Sequence, residues 1–127
     1  MGRFRFENLE IWQRAAETAR KLFKIADTLE EKRRYRFAEQ LRGAALSMSN
    51  NIAEGSGSTS SREFIRFLDI ARKSTFENAS MMLIFAQDQI IPEEQKIEVL
   101  QDLDELSRMI TAFSRSLQVK NERNEGK

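Results

Sequence analysis

Any catalysis in this chain of 127 residues would have to come from carboxylates, serines or a glycine-rich loop, because it contains neither histidine nor cysteine. The first absence removes the commonest general base and the commonest transition-metal ligand. The second removes thiol nucleophiles, disulfides and Cys-based zinc sites. Glu94, Glu98, Asp102 and Glu105 recur at helical spacing, and inward-facing carboxylates on facing helices can hold a metal pair. Such centres add Glu-x-x-His pairs, and the periodicity puts these four acids on the outer face of a last helix. The serines have no histidine base and no Ser-x-x-Lys run. Gly55-Ser56-Gly57 lacks the Gly-Lys-Ser/Thr ending that lets a loop cradle phosphate. The expectation is a non-enzyme with no catalytic residue, no cofactor and no metal site.

Binding chemistry has two candidate seats. Lys32, Arg33, Arg34 and Arg36 form the densest basic cluster. Phosphate contacts from such a cluster would bind RNA or DNA without reading sequence, and binding would fall steeply with salt. The ordinary alternative is a solvated helix start beside Glu30 and Glu31. With 21 basic and 20 acidic residues, the whole molecule exerts no general pull on nucleic acid or anionic membrane. Residues 1–50 hold 11 basic and 7 acidic residues and residues 51–127 hold 10 and 13, so any attraction is local. The second seat is Asn50-Asn51-Ile52-Ala53-Glu54-Gly55. Short polar side chains at helix ends usually bond to backbone. Glu54, however, falls at the negative end of a helix dipole and calls for a cation. Arg62, Arg66 and Arg72 are the candidates, within one subunit or between two.

These residues need elements to carry them. Ile11, Trp12, Ala15, Ala16, Ala19, Leu22, Phe23, Ala26 and Leu29 line one side of an amphipathic helix that starts at Asn8 as N-cap. Residues 28–32 make a short connection. A second helix over 33–53 buries Phe37, Ala38, Leu41, Ala44, Ala45, Met48 and Ile52. Gly43 inside it costs about 1 kcal/mol relative to Ala, so a close packing partner is expected there. Gly55 suits the left-handed position that ends helices. Residues 55–60 read as a flexible connector, and Ser60 with Glu63 as a capping box. A third helix runs to Gln87. Pro92 with acids behind it starts a fourth, whose stripe is Val99, Leu100, Leu103, Leu106, Ile110, Phe113 and Leu117. The chain is thus an arm over 1–7, an all-α, up-down-up-down antiparallel four-helix bundle over 8–118, and a polar tail over 119–127.

The third helix is greasy round most of its circumference. Phe64, Phe67, Leu68, Ala71, Thr75, Asn78, Met82 and Phe85 share one stripe, and Ile65, Ile70, Phe76, Met81 and Leu83 flank it on both sides. A surface helix shows a stripe only ~100° wide. The flanking residues are therefore expected at a subunit interface. No window approaches the ~18 apolar residues a membrane span needs, and the charged start does not look like a signal peptide. No membrane contact and a cytoplasmic location are expected.

The run from Gln40 to Met48, then Asn51-Ile52-Ala53-Glu54-Gly55, then Glu63-Phe64-Ile65-Arg66-Phe67-Leu68-Asp69-Ile70-Ala71 with Ser74, resembles the four-helix-bundle proteins of the 23S rRNA intervening-sequence family. The opening Phe6-Glu7-Asn8-Leu9-Glu10-Ile11-Trp12 is similar to that family's start, so the resemblance covers residues 6–118. Lys73 stands where a glycine is common and Asn78 where an apolar residue is common. The resemblance implies a bacterial protein that assembles as a homopentameric ring, with no established enzymatic activity. Asn51, Glu54 and Gly55 lie in the motif that carries the resemblance, and Arg72, at the edge of the apolar arc, is the structural candidate to pair with Glu54. Distant relatives serve diversity-generating retroelements by binding a reverse transcriptase and nucleic acid. Two functions follow as expectations: an oligomeric scaffold or interaction module, or a nucleic-acid-binding accessory factor with a basic rim. A small-molecule site in a central pore is a third.

Overall fold

The structure, a computed structural model, describes residues 2–125. They form four α-helices, and no strand occurs among them: α1 (Glu10–Glu31), α2 (Tyr35–Ser56), α3 (Ser61–Gln87) and α4 (Glu93–Glu125). A 3₁₀ turn over Arg5–Asn8 precedes them. Cross-helix partners fix the directions. Asn78 bonds to Ala44 and Ser74 to Ser47, so residue numbers on α2 rise as those on α3 fall. Arg42 meets Asp27 and Glu30. Arg14 meets Glu105, and Lys21 meets Glu98 and Asp102. Neighbouring helices are therefore antiparallel, and the bundle closes where α1 meets α4.

The core follows the apolar stripes. Leu22, Ile25, Leu29, Leu41, Met48, Ile52, Leu68, Met82, Leu103, Leu106 and Ile110 are almost wholly buried. Each side chain of that size contributes roughly 1.5–3 kcal/mol on burial. The α1–α4 closure is different in kind. Glu98, Asp102 and Glu105, expected on the outer face, reach across to Lys21 and Arg14 at 2.7–3.1 Å. They lie along the seam because α1 has cations at the same height.

Helix ends depart from expectation in an orderly way. Leu9, not Asn8, is the N-cap of α1, because the arm turns once as 3₁₀ and packs Phe6 against Trp12 at 4.9 Å. α1 continues to Glu31, and Arg33 (φ 64°) takes the left-handed position behind it. The Arg34 N–H donates to Leu29 O at 2.8 Å and the Arg33 N–H to Glu30 O at 2.9 Å, a Schellman closure without glycine. Gln89 (φ 58°) does the same after α3, with the Ile90 N–H donating to Phe85 O at 2.7 Å. Gly55 ends nothing. It lies inside α2 and is buried. Ser60 caps α3 by accepting from the Glu63 N–H at 3.2 Å, but the Glu63 carboxylate turns to Arg66 instead of closing the box. α4 does not stop near 118. Residues 119–125 hold no Pro or Gly and continue the helix.

Candidate interaction surface

The α2–α3 hairpin carries the motif residues and explains most of them as packing. The Asn51 side chain donates to Ser47 O at 2.8 Å and to Ser47 Oγ at 3.1 Å. Ser47 and Ser74 share a hydrogen bond of 2.8 Å between hydroxyls. Asn78, fully buried, donates from Nδ2 to Ala44 O at 2.9 Å and Ser74 O at 2.8 Å. Its Oδ1 has no hydrogen-bond partner among the described residues. A Cβ on Gly55 would stand 2.8 Å from Phe64 and Phe67, so glycine is there for close approach. Gly43 shows the opposite: it is exposed, and a Cβ there would meet nothing within 4 Å. Among the described residues Gly43 has no packing partner of the kind expected.

Glu54 is exposed in the last turn of α2. Among the described residues no cation lies within ion-pair distance of it. Arg66 pairs with Glu63 at 2.6 Å. That bond holds the Glu63 carboxyl below the usual carboxylate range and raises the Arg66 guanidinium in return. Arg72 lies over the Phe76 ring at 5.1 Å and has no carboxylate beside it among the described residues. Of the cations expected for Glu54, within one subunit or between two, neither Arg66 nor Arg72 pairs with it inside the protomer.

Two grooves run along the outer seam of α3 and α4. The first, about 590 Å³, is lined by Phe76, Ala79, Ser80, Leu83, Ile84 and Leu100, with other neighbours. The second, about 670 Å³, has Arg62, Arg66, Arg72 and Arg115 around Ile65 and Leu68. Phe76 (58 %), Ile84 (51 %) and Leu83 (42 %) are exposed. Ile65 and Ile70 are half-buried. Met81, expected at the interface, is not on the open face. It is only 9 % exposed and belongs to the core. Ile84 takes its place on the open face. The spacing 76, 83, 84, steps of seven and eight, carried that signal.

The basic cluster sits at the α1–α2 turn. Lys32, Arg33, Arg34 and Arg36 are all exposed. Lys32 is partly committed, since its ammonium donates to Ile90 O at 3.0 Å and ties the turn to the α3–α4 loop. Among the described residues no three acidic side chains come together as a metal site would require, and no helix is long and apolar enough to cross a membrane.

No curated protein matches the chain. The bundle superposes with a TM-score of 0.78 on a crystal structure of a protein of unknown function from the S23 ribosomal protein family of Bacteroides thetaiotaomicron. That protein is 21 % identical, and the match covers 82 % of this chain and 97 % of the other. At that identity the likeness concerns the fold. The sequence itself goes further: residues 7–112 match the family described as 23S rRNA-intervening sequence protein. From Glu7 through the Asn-Ile-Ala-Glu-Gly turn of α2 to the middle of α4, the chain belongs to the 23S rRNA-intervening sequence protein family.

Proposed function

We propose that this protein is a non-enzymatic scaffold that works as an assembly of identical subunits, in the cytoplasm, with the outer face of α3 as the subunit interface. One observation carries the reading: Phe76, Leu83 and Ile84 stand open on a single groove. Three large side chains wet on one patch forgo several kcal/mol, against a net domain stability of about 5–15 kcal/mol. A second copy removes that deficit. The family resemblance makes a homopentameric ring the expected form. The test is the mass in solution by light scattering. An assembly at micromolar concentration that dissociates in Leu83→Ser supports the scaffold. A monomeric wild type refutes it.

A second reading has its own observation. Arg33, Arg34 and Arg36 point to solvent from one turn, and in a ring that turn would recur at every subunit, making a modest patch multivalent. It takes RNA or DNA through phosphates, or joins a reverse-transcriptase-like protein that does. Titration with RNA and with DNA at two salt concentrations tests it. Binding that weakens steeply with salt supports it, and no binding at low salt removes it.

A further inference from the structure

The open face of α3 needs a cover, and the same chain carries a matching ridge. Tyr35, Glu39, Gly43, Leu46, Asn50 and Glu54 follow one another along α2 at steps of three and four, and all are exposed. Steps of that size put them on one outward stripe. Two features of the stripe are unexplained within the protomer. Gly43 weakens the helix and makes room for nothing. Glu54 sits at the negative end of the helix dipole with no cation beside it among the described residues. Leu46, between them, is 44 % exposed.

The α3 face presents the reverse pattern. Leu83 and Phe76 protrude and bracket the small residues Ala79 and Ser80. Arg72, over the Phe76 ring at 5.1 Å, forms no ion pair among the described residues. Laid antiparallel, the two stripes register. From Leu46 to Glu54 is about 12 Å along a helix, and so is the distance from Ser80 to Arg72, at ~1.5 Å per residue. Leu46 then drops between Phe76 and Leu83 onto Ala79 and Ser80. Leu83 drops into the notch at Gly43. Glu54 arrives at Arg72. Bulk meets small on both sides and each unpaired charge finds its opposite.

We propose that the occupant of the α3 groove is a second copy of this chain, seated by the outer stripe of its α2, with Glu54 of one subunit paired to Arg72 of the next. This rests on the self-association argued above and adds to it which surfaces mate. Because ridge and groove are different patches, the contact is heterologous: every copy gives one ridge and receives another, and only a closed ring satisfies all of them.

The chain has no cysteine, so engineered thiols report contacts without background. Leu46→Cys and Ser80→Cys are made singly, shown by light scattering to keep the wild-type mass, then oxidised alone and mixed. A disulfide-linked dimer in the mixture, and none in either variant alone, is the expected result. Linkage of Ser80→Cys to itself, or no linkage in the mixture while the mass is intact, overturns the mating scheme and leaves the scaffold standing. A monomeric wild type removes both. Charge exchange checks the pairing. Glu54→Arg and Arg72→Glu should each weaken assembly roughly tenfold or more, with helical content unchanged, and the double exchange should restore it. A double exchange no better than the singles rejects the Glu54–Arg72 pair.

Discussion

Gly55 of α2 lies so close to Phe64 of α3 that a methyl group on its Cα would stand 2.8 Å from the ring and 2.8 Å from Phe67 Cβ. The two residues set how tightly the second and third helices turn against each other. Gly55→Ala gains up to about 1 kcal/mol of helix propensity but forces the ring away in a packed interior, which costs roughly 1–3 kcal/mol. The balance is destabilising. A lowered thermal midpoint checks it, and an unchanged or raised midpoint would mean that Phe64 has somewhere to go.

Arg33 offers the opposite case. It holds a left-handed backbone at φ 64°, which costs an ordinary L-residue about 1–2 kcal/mol. Arg33→Gly should therefore stabilise the domain by about 1 kcal/mol, visible as a higher urea midpoint with unchanged slope. The same change deletes a candidate phosphate contact. If the basic turn binds RNA, affinity falls while stability rises, so the two effects separate cleanly.

The four apolar stripes were plain in the sequence because burial enforces helical periodicity, and the positions of α2, α3 and most of the core follow from it. The helix ends were less plain. Two left-handed closures are made by Arg33 and Gln89, residue types that give no warning, while Gly55, the residue type that usually gives one, serves a tertiary contact instead. The acids of α4 are largely exposed, as expected, but their partners were not legible. A wheel shows that Glu98 and Asp102 are off the apolar stripe, but not that Lys21 waits beside them. At the interaction face, the exposure of Phe76 and Leu83 was legible and the burial of Met81 was not, since a flank residue turns inward or outward according to how far the neighbouring helix reaches.

Asn78 is the polar exception in the core. Its Nδ2 bonds go to carbonyls of α2 and α3, and its Oδ1 is buried without a donor among the described residues. An orphaned buried acceptor costs about 1–3 kcal/mol. Asn78→Leu should therefore leave stability unchanged or raise it by up to that amount. Asn78→Asp should lower it by several kcal/mol at neutral pH, because the new carboxylate would be buried among carbonyl oxygens. Burial raises the carboxyl pKa, so the penalty is absent in acid and grows as pH rises from the ordinary carboxyl range to the folded value. Thermal melts at pH 4 and pH 7 read the difference, and equal losses at both would contradict it.

The α1–α4 seam makes the last prediction. Lys21 bonds Asp102 at 2.7 Å and Glu98 at 3.1 Å, and Arg14 bonds Glu105 at 2.9 Å. The hydrogen bonds to Asp102 and then Glu98 hold the Lys21 ammonium above the usual lysine range. A raised folded pKa means that the protonated lysine contributes fully below its unfolded value, and that the contribution disappears as pH climbs through the folded one. The side chains are a quarter to a half exposed or more, so solvent screening keeps each pair below about 1 kcal/mol. Lys21→Met should cost that little at neutral pH and low salt, and less in 1 M salt, where the Debye length shrinks to ~3 Å. It should also lose less stability than the wild type when both are moved from pH 8 to pH 11. Melting the two proteins side by side at both pH values decides it: parallel losses would place the alkaline sensitivity somewhere other than this closure of the bundle.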